Sequence, residues 1–131
     1  MSHTAFPDLQ RDLTFHPVHN AHPHALTRAQ LDHYNAKGYI VPLDVLTPAE
    51  VAEHRAYFEQ LLAKTLAKGW NNYAINGWQT RCPGIYDLVT HPRILDYVQD
   101  LLGETLICWA THYFAKLPGD GKRVSWHQDA S

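Results

Sequence analysis

Residues 105–116, Thr-Leu-Ile-Cys-Trp-Ala-Thr-His-Tyr-Phe-Ala-Lys, constrain the fold more than any other stretch. They are rich in β-branched and aromatic side chains and too apolar on both faces for an exposed edge, so they read as a long central strand. Pro118-Gly119-Asp120-Gly121 is turn chemistry. Arg123-Val124-Ser125-Trp126-His127 then returns as a second strand, expected over 123–128. A two-stranded hairpin has too little sheet to stand alone. The pair therefore opens a larger sheet, and the chain reads as the front part of a domain.

The hairpin ends in Trp126-His127-Gln128-Asp129-Ala130-Ser131. On a strand, residues i and i+2 share a face, so His127 and Asp129 converge while Gln128 turns away. A histidine and an aspartate at this spacing are common by chance; their place at a strand end is what singles them out. An imidazole and one carboxylate are two of the three ligands of the facial triad that holds non-haem Fe(II) and leaves positions open for a co-substrate and O₂. The third, a second histidine, has no counterpart after Ser131. A chain ending inside such a motif leads to the expectation that the natural protein continues.

Composition narrows the class. With 45% hydrophobic against 18% charged residues in 131, the chain can pack a core and is not a disordered tail. A net charge of -2 and a pI near 6.5 leave no basic footprint, so no nucleic-acid partner is expected. No apolar run approaches the ~18 residues of a membrane span, and the N-terminus lacks a secretory apolar core. Cys82 and Cys108 have no metal or redox spacing and fit free thiols of a reducing cytosol. The expectation is a cytoplasmic globular protein with no membrane partner; nothing in the pattern sets an oligomeric state.

Residues 1–25 read as an irregular arm containing Pro7, Pro17, Pro23, His3, His16, His19, His22 and His24. Imidazoles suit transition metals, but no helix or strand period brings these rings together, so a plain polar arm is expected. The domain proper runs from 26 to 131. Thr27 to Gln30 is a capping box opening a helix over 28–36 that stops before Gly38. A short strand is expected near 39–43, with Pro42 confining it to a sheet edge or a strand end. Thr47-Pro48-Ala49-Glu50 is a second capping box, opening a helix over 48–67 with Val51, Phe58, Leu61, Leu62 and Leu66 as its buried stripe. A short helical turn is expected from Gly84 to Val89. His91-Pro92 opens a helix over 92–102, with Ile94, Leu95, Val98, Leu101 and Leu102 as its stripe.

Between these helices the pattern dissolves from Trp70 to Cys82. Two tryptophans, a tyrosine and three asparagines are equally the composition of a ligand-lining wall and of a loop pinned by its own aromatics. Trp78 and Arg81 are the candidate substrate contacts, Arg81 being the fixed cation that would meet a carboxylate or phosphate. Along the long strand, period 2 separates Ala110, His112, Phe114 and Lys116 from Trp109, Thr111, Tyr113 and Ala115. Pattern alone leaves open which set faces inward.

The order of features resembles a known family. The series is Tyr-Asn-Ala-Lys-Gly-Tyr-Ile-Val (34–41), Leu-Thr-Pro-Ala-Glu (46–50), His-Pro-Arg-Ile-Leu-Asp-Tyr-Val (91–98) ending in Leu-Leu-Gly, then Lys-Leu-Pro-Gly (116–119) and Trp-His-Gln-Asp (126–129). It resembles the N-terminal half of the phytanoyl-CoA dioxygenase (PhyH-like) family of Fe(II)/2-oxoglutarate oxygenases.

The resemblance implies an α+β to mainly-β fold: a double-stranded β-helix, the cupin-like jelly roll, with helices packed at its N-terminal side and the barrel incomplete in these residues. It makes His127 and Asp129 the metal ligands and catalytic centre, and turns the His112 and Phe114 set towards the cofactor. The distal histidine and the arginine that anchors 2-oxoglutarate lie downstream in the family. The implied activity is Fe(II)-, 2-oxoglutarate- and O₂-dependent hydroxylation of an unactivated C–H in a small molecule, with release of succinate and CO₂, provided the chain continues past residue 131. Asp129, where related halogenases carry a small residue, implies hydroxylation over chlorination. The alternative is a metal-binding cupin-like protein that is non-catalytic or does other chemistry.

Overall fold

The computed structural model describes residues 14–127. Four α-helices build the described body: α1 (Arg28–Lys37), α2 (Pro48–Ala67), α3 (Pro83–Val89) and α4 (Pro92–Leu102), with a single 3₁₀ turn at Trp78–Thr80 between α2 and α3. Both capping boxes form. The Thr27 hydroxyl accepts from the Gln30 N–H at 3.3 Å while the Gln30 side chain accepts from the Thr27 N–H at 2.8 Å. Thr47 and Glu50 repeat the arrangement at 3.3 and 2.7 Å. Each box satisfies amides that a helix start leaves without partners. At the other end of α1, Gly38 adopts φ 80° and donates its N–H to the Tyr34 carbonyl, a left-handed turn that costs glycine nothing.

The core is small, with Leu26, Leu31, Ile75 and Ile85 buried. Each contributes about 1.5–3 kcal/mol of burial free energy. The anticipated stripes are only partly buried. Val51 and Leu66 on α2 and Leu102 on α4 are exposed, whereas Thr65 and Asp100, polar residues on the same helices, are buried. Thr65 is satisfied within its helix, its hydroxyl donating to the Leu61 carbonyl at 2.8 Å. Helix α3 packs against α2 and the 3₁₀ turn. The approach is close at Gly84, where an added Cβ would lie 2.7–2.8 Å from the Tyr57 ring. Any larger residue there would have to displace the Tyr57 ring.

Two carboxylates tie the body together. Glu50, besides capping α2, pairs with Arg93 in the first turn of α4 and lies 3.4 Å from His91 Nε2. The Thr47 backbone and hydroxyl donors, followed by His91 and Arg93, outweigh desolvation and hold its carboxyl down at about 2. Asp100, only 2% exposed, gathers residues 20–26. Its Oδ1 accepts from the His24 N–H (2.9 Å) and Asn20 Nδ2 (3.1 Å), and its Oδ2 from the Ala25 and Leu26 N–H groups (both 2.8 Å). Burial pushes this carboxyl up, but the Leu26, His24 and Ala25 amides outweigh burial and leave it below the ordinary aspartate value. Val18 is held separately, by paired hydrogen bonds with the Asn35 side chain of α1 at 2.8 and 3.1 Å. The described part of the N-terminal arm has no regular structure, yet it is fastened to α1 and α4.

The strands expected near 39–43, 105–116 and 123–128 do not form as ladders among the described residues. One isolated antiparallel bridge, Asn76 with His112, is present. It is flanked by Gly77 N–H to Thr111 O (2.8 Å) and Tyr113 N–H to Ile75 O (3.1 Å). The turn after residue 117 closes, with Asp120 accepting from the Leu117 and Lys122 N–H groups. Its two arms do not pair with each other among the described residues. The reason is physical: a two-stranded ribbon pairs each strand on one side only and leaves both faces uncovered, which is too little to hold it. The first arm finds its partner in the Trp70–Cys82 segment instead.

Candidate functional site

The pairing of 75–77 with 111–113 orients the residues around it. From Thr111 to Leu117 burial alternates strictly: Thr111, Tyr113, Ala115 and Leu117 are half-buried, and His112, Phe114 and Lys116 are exposed. This is the period of an extended chain lying on a packed layer. Tyr113 turns towards the helices and stacks on Phe58, ring centroids 4.7 Å apart. His112 and Phe114 turn the other way, with centroids 4.0 Å apart, and Tyr73 lies 6.2 Å from each. His112 Nε2 is 3.1 Å from the Tyr73 carbonyl. A carbonyl can only accept, so Nε2 carries the proton and Nδ1 the lone pair.

Two residues without a signal in the sequence hold this face together. Asn72 is buried and donates through Nδ2 to the Ala115 carbonyl, while its Oδ1 accepts from Lys122 Nζ at 2.6 Å. Lys122 also sits 5.0 Å over the Tyr73 ring, within cation–π range. Gln79 acts as a second clamp, accepting from the Thr111 hydroxyl at 2.8 Å and donating to the Trp109 carbonyl at 3.4 Å. Nothing local distinguishes Asn72 or Gln79 from their neighbours, since both derive their importance from a segment thirty or more residues away.

His127 is exposed, and its Nδ1 lies 2.9 Å from the Ser125 carbonyl. By the same argument Nδ1 carries the proton. That tautomer puts the lone pair on Nε2, the nitrogen required of a metal ligand whose other nitrogen is tied to a carbonyl. Its chemistry fits a metal-binding histidine. Asp129 lies outside the described residues. Among the described residues no group of three His, Cys, Asp or Glu side chains is placed to hold a metal. This includes His16, His19, His22 and His24, which share a hollow of about 820 Å³ with Glu104. His3 is outside the described residues.

The two expected substrate contacts separate. Arg81, exposed, lines a cleft of about 650 Å³ with Gln79, Cys82, Tyr86, Asp87 and Cys108. Trp78 faces the end of α2, lining a smaller hollow with Leu61, Lys64 and Thr65 and meeting Trp70 edge to face at 6.1 Å. The tryptophans thus pin the loop, while the far end of the same loop lines the cleft. Both cysteines are free thiols.

No helix among the described residues is long and apolar enough to cross a membrane. A family model, phytanoyl-CoA dioxygenase (PhyH), matches residues 34–131. The match defines a dioxygenase-type oxidoreductase. The chain belongs to the phytanoyl-CoA dioxygenase family, whose members generally depend on Fe(II) and 2-oxoglutarate. Searches of curated proteins and of solved structures returned no match.

Proposed function

We propose that this protein is an Fe(II)- and 2-oxoglutarate-dependent hydroxylase of a small molecule. The observation that carries the reading is the family match across residues 34–131, which spans Trp126-His127-Gln128-Asp129. His127 and Asp129 would hold the ferrous ion. When bound, iron with 2-oxoglutarate and O₂ supplies the oxidising power for C–H hydroxylation, with succinate and CO₂ released.

This chain's own residues prepare that chemistry. The Ser125 carbonyl beside Nδ1 favours the His127 tautomer whose lone pair is on Nε2, the form a metal ligand of this kind uses. His112 and Phe114 form an aromatic wall with an acceptor nitrogen in it, held by the Asn76 bridge and the Tyr73 carbonyl. We assign that wall to the inside of a cupin-like jelly roll and the Tyr113 side to the helical layer outside it. The alternation of burial from 111 to 117, with Tyr113 on Phe58, supports the assignment. His112 and Phe114 then face the co-substrate, and Arg81 meets an anionic group on the substrate. Family membership does not fix the substrate, because the pocket and not the fold selects it.

The test is succinate formation from 2-oxoglutarate with Fe(II) in air, using the natural full-length protein. Turnover is expected in the wild type and absent in His127→Ala and Asp129→Ala. Undiminished turnover in either variant would remove that residue from the metal site and the reading with it.

A further inference from the structure

Helix α3 has two faces. Ile85 is buried and Leu88 half-buried on one. Pro83, Tyr86, Asp87 and Thr90, at i, i+3, i+4 and i+7, line the 650 Å³ cleft on the other. Gln79, Thr80, Arg81 and Cys108 complete the lining, and Gln79 is hydrogen-bonded to Trp109 and Thr111, just beyond Cys108 in the chain. Pro83, Tyr86, Val89 and the two thiols give this cleft a largely apolar lining, and its volume is in the range of small-molecule sites.

Two opposite charges break the apolar surface. Arg81 and Asp87 both line the cleft, and neither side chain makes an ion pair or hydrogen bond among the described residues. A guanidinium and a carboxylate without an ion-pair partner, in one apolar cleft, suit a ligand that carries both complementary charges. A simple acid would meet Asp87 and a simple amine would meet Arg81, each a like-charge juxtaposition that selects against it.

We propose that the cleft binds an α-amino acid with an apolar side chain, carboxylate to Arg81, ammonium to Asp87, and side chain over Tyr86, Pro83 and Val89. The inference rests on the oxygenase reading only in making this ligand the substrate; binding itself requires neither metal nor 2-oxoglutarate. The test is a calorimetric or NMR titration of the metal-free full chain with L-phenylalanine, 3-phenylpropanoate and 2-phenylethylamine, which differ only in the two charged groups. L-Phenylalanine is expected to bind about tenfold or more tighter than either analogue, the scale of one charge-assisted hydrogen bond.

Arg81→Gln should erase the advantage over the amine, and Asp87→Asn the advantage over the acid, with the helical circular dichroism unchanged in both. Equal binding of the three probes, binding of none, or discrimination that survives both substitutions would overturn the proposal. Failure of the oxygenase assay alone would leave these titrations intact. A titration that failed beside normal succinate formation would reject the cleft and spare the oxygenase.

Discussion

The helical body and the extended segment from 105 to 127 solve the same backbone problem in opposite ways. Helices α1 and α2 satisfy their first amides with capping residues three positions away, and the carboxylates of Glu50 on α2 and Asp100 on α4 then join the pieces of the body. The extended segment has no such local solution, because its partners must come from elsewhere in the sequence or from another layer. Among the described residues it is held by one bridge with its flanking hydrogen bonds, by the side chains of Asn72 and Gln79, and by the ring contact of Tyr113 with Phe58. Ile107 and Trp109 on it are 87% and 89% exposed. Local order and long-range order are thus divided along the chain, and the residues proposed to hold the metal lie at the end of the less supported part.

The largest expected effect on this contrast is at Asp100. Asp100→Ala would leave the amides of His24, Ala25 and Leu26 without their acceptor beside a buried core residue. A loss of about 3 kcal/mol or more is expected in a denaturant melt. A loss under about 1 kcal/mol would show that the arm is not part of the folding unit.

Acid should act next, and on the same region. Glu50 titrates near 4.5 when unfolded and at about 2 when folded, and Asp100 is likewise lowered. The unfolded chain therefore binds more protons between those values. The stability these groups contribute is complete above about 4.5 and is lost as pH falls towards 2. Thermal melts over that window should show a steep decline in the wild type and a shallower one in Glu50→Gln.

The smallest effect should come from the extended segment. Trp126→Ser, at a fully exposed side chain, is expected to change stability by no more than about 0.5 kcal/mol. A change above about 1 kcal/mol in the natural protein would mean that another layer covers this face and would bring the two regions closer in kind.

The same contrast explains what could be read from sequence. Thr27, Thr47 and Gly38 carry signals within a few residues of where they act, and their caps form as the pattern indicates. Asp100 carried no signal, because it interrupts an apolar stripe as a surface residue would, and its partners lie 74 to 80 positions away. The two-sided apolar pattern of 105–116 was legible as strand, but a pattern specifies a face and not a neighbour. The pairing with the asparagine-rich loop was therefore invisible, as was the separation of Trp78 from Arg81. At the metal site, the sequence spacing proposed His127 and Asp129 together, whereas the described geometry speaks to the tautomer of His127 alone.

The Asp100 clamp also bears on where the folding unit begins. Family likeness starts at residue 34, inside α1, yet Asn20, His24, Ala25 and Leu26 supply the donors that neutralise a carboxylate on α4. A protein trimmed to residue 34 would keep the buried charge and discard the Asn20, His24, Ala25 and Leu26 donors that solvate it. The unit of inheritance and the unit of folding differ here by at least one turn of arm and half a helix, and expression should respect the second.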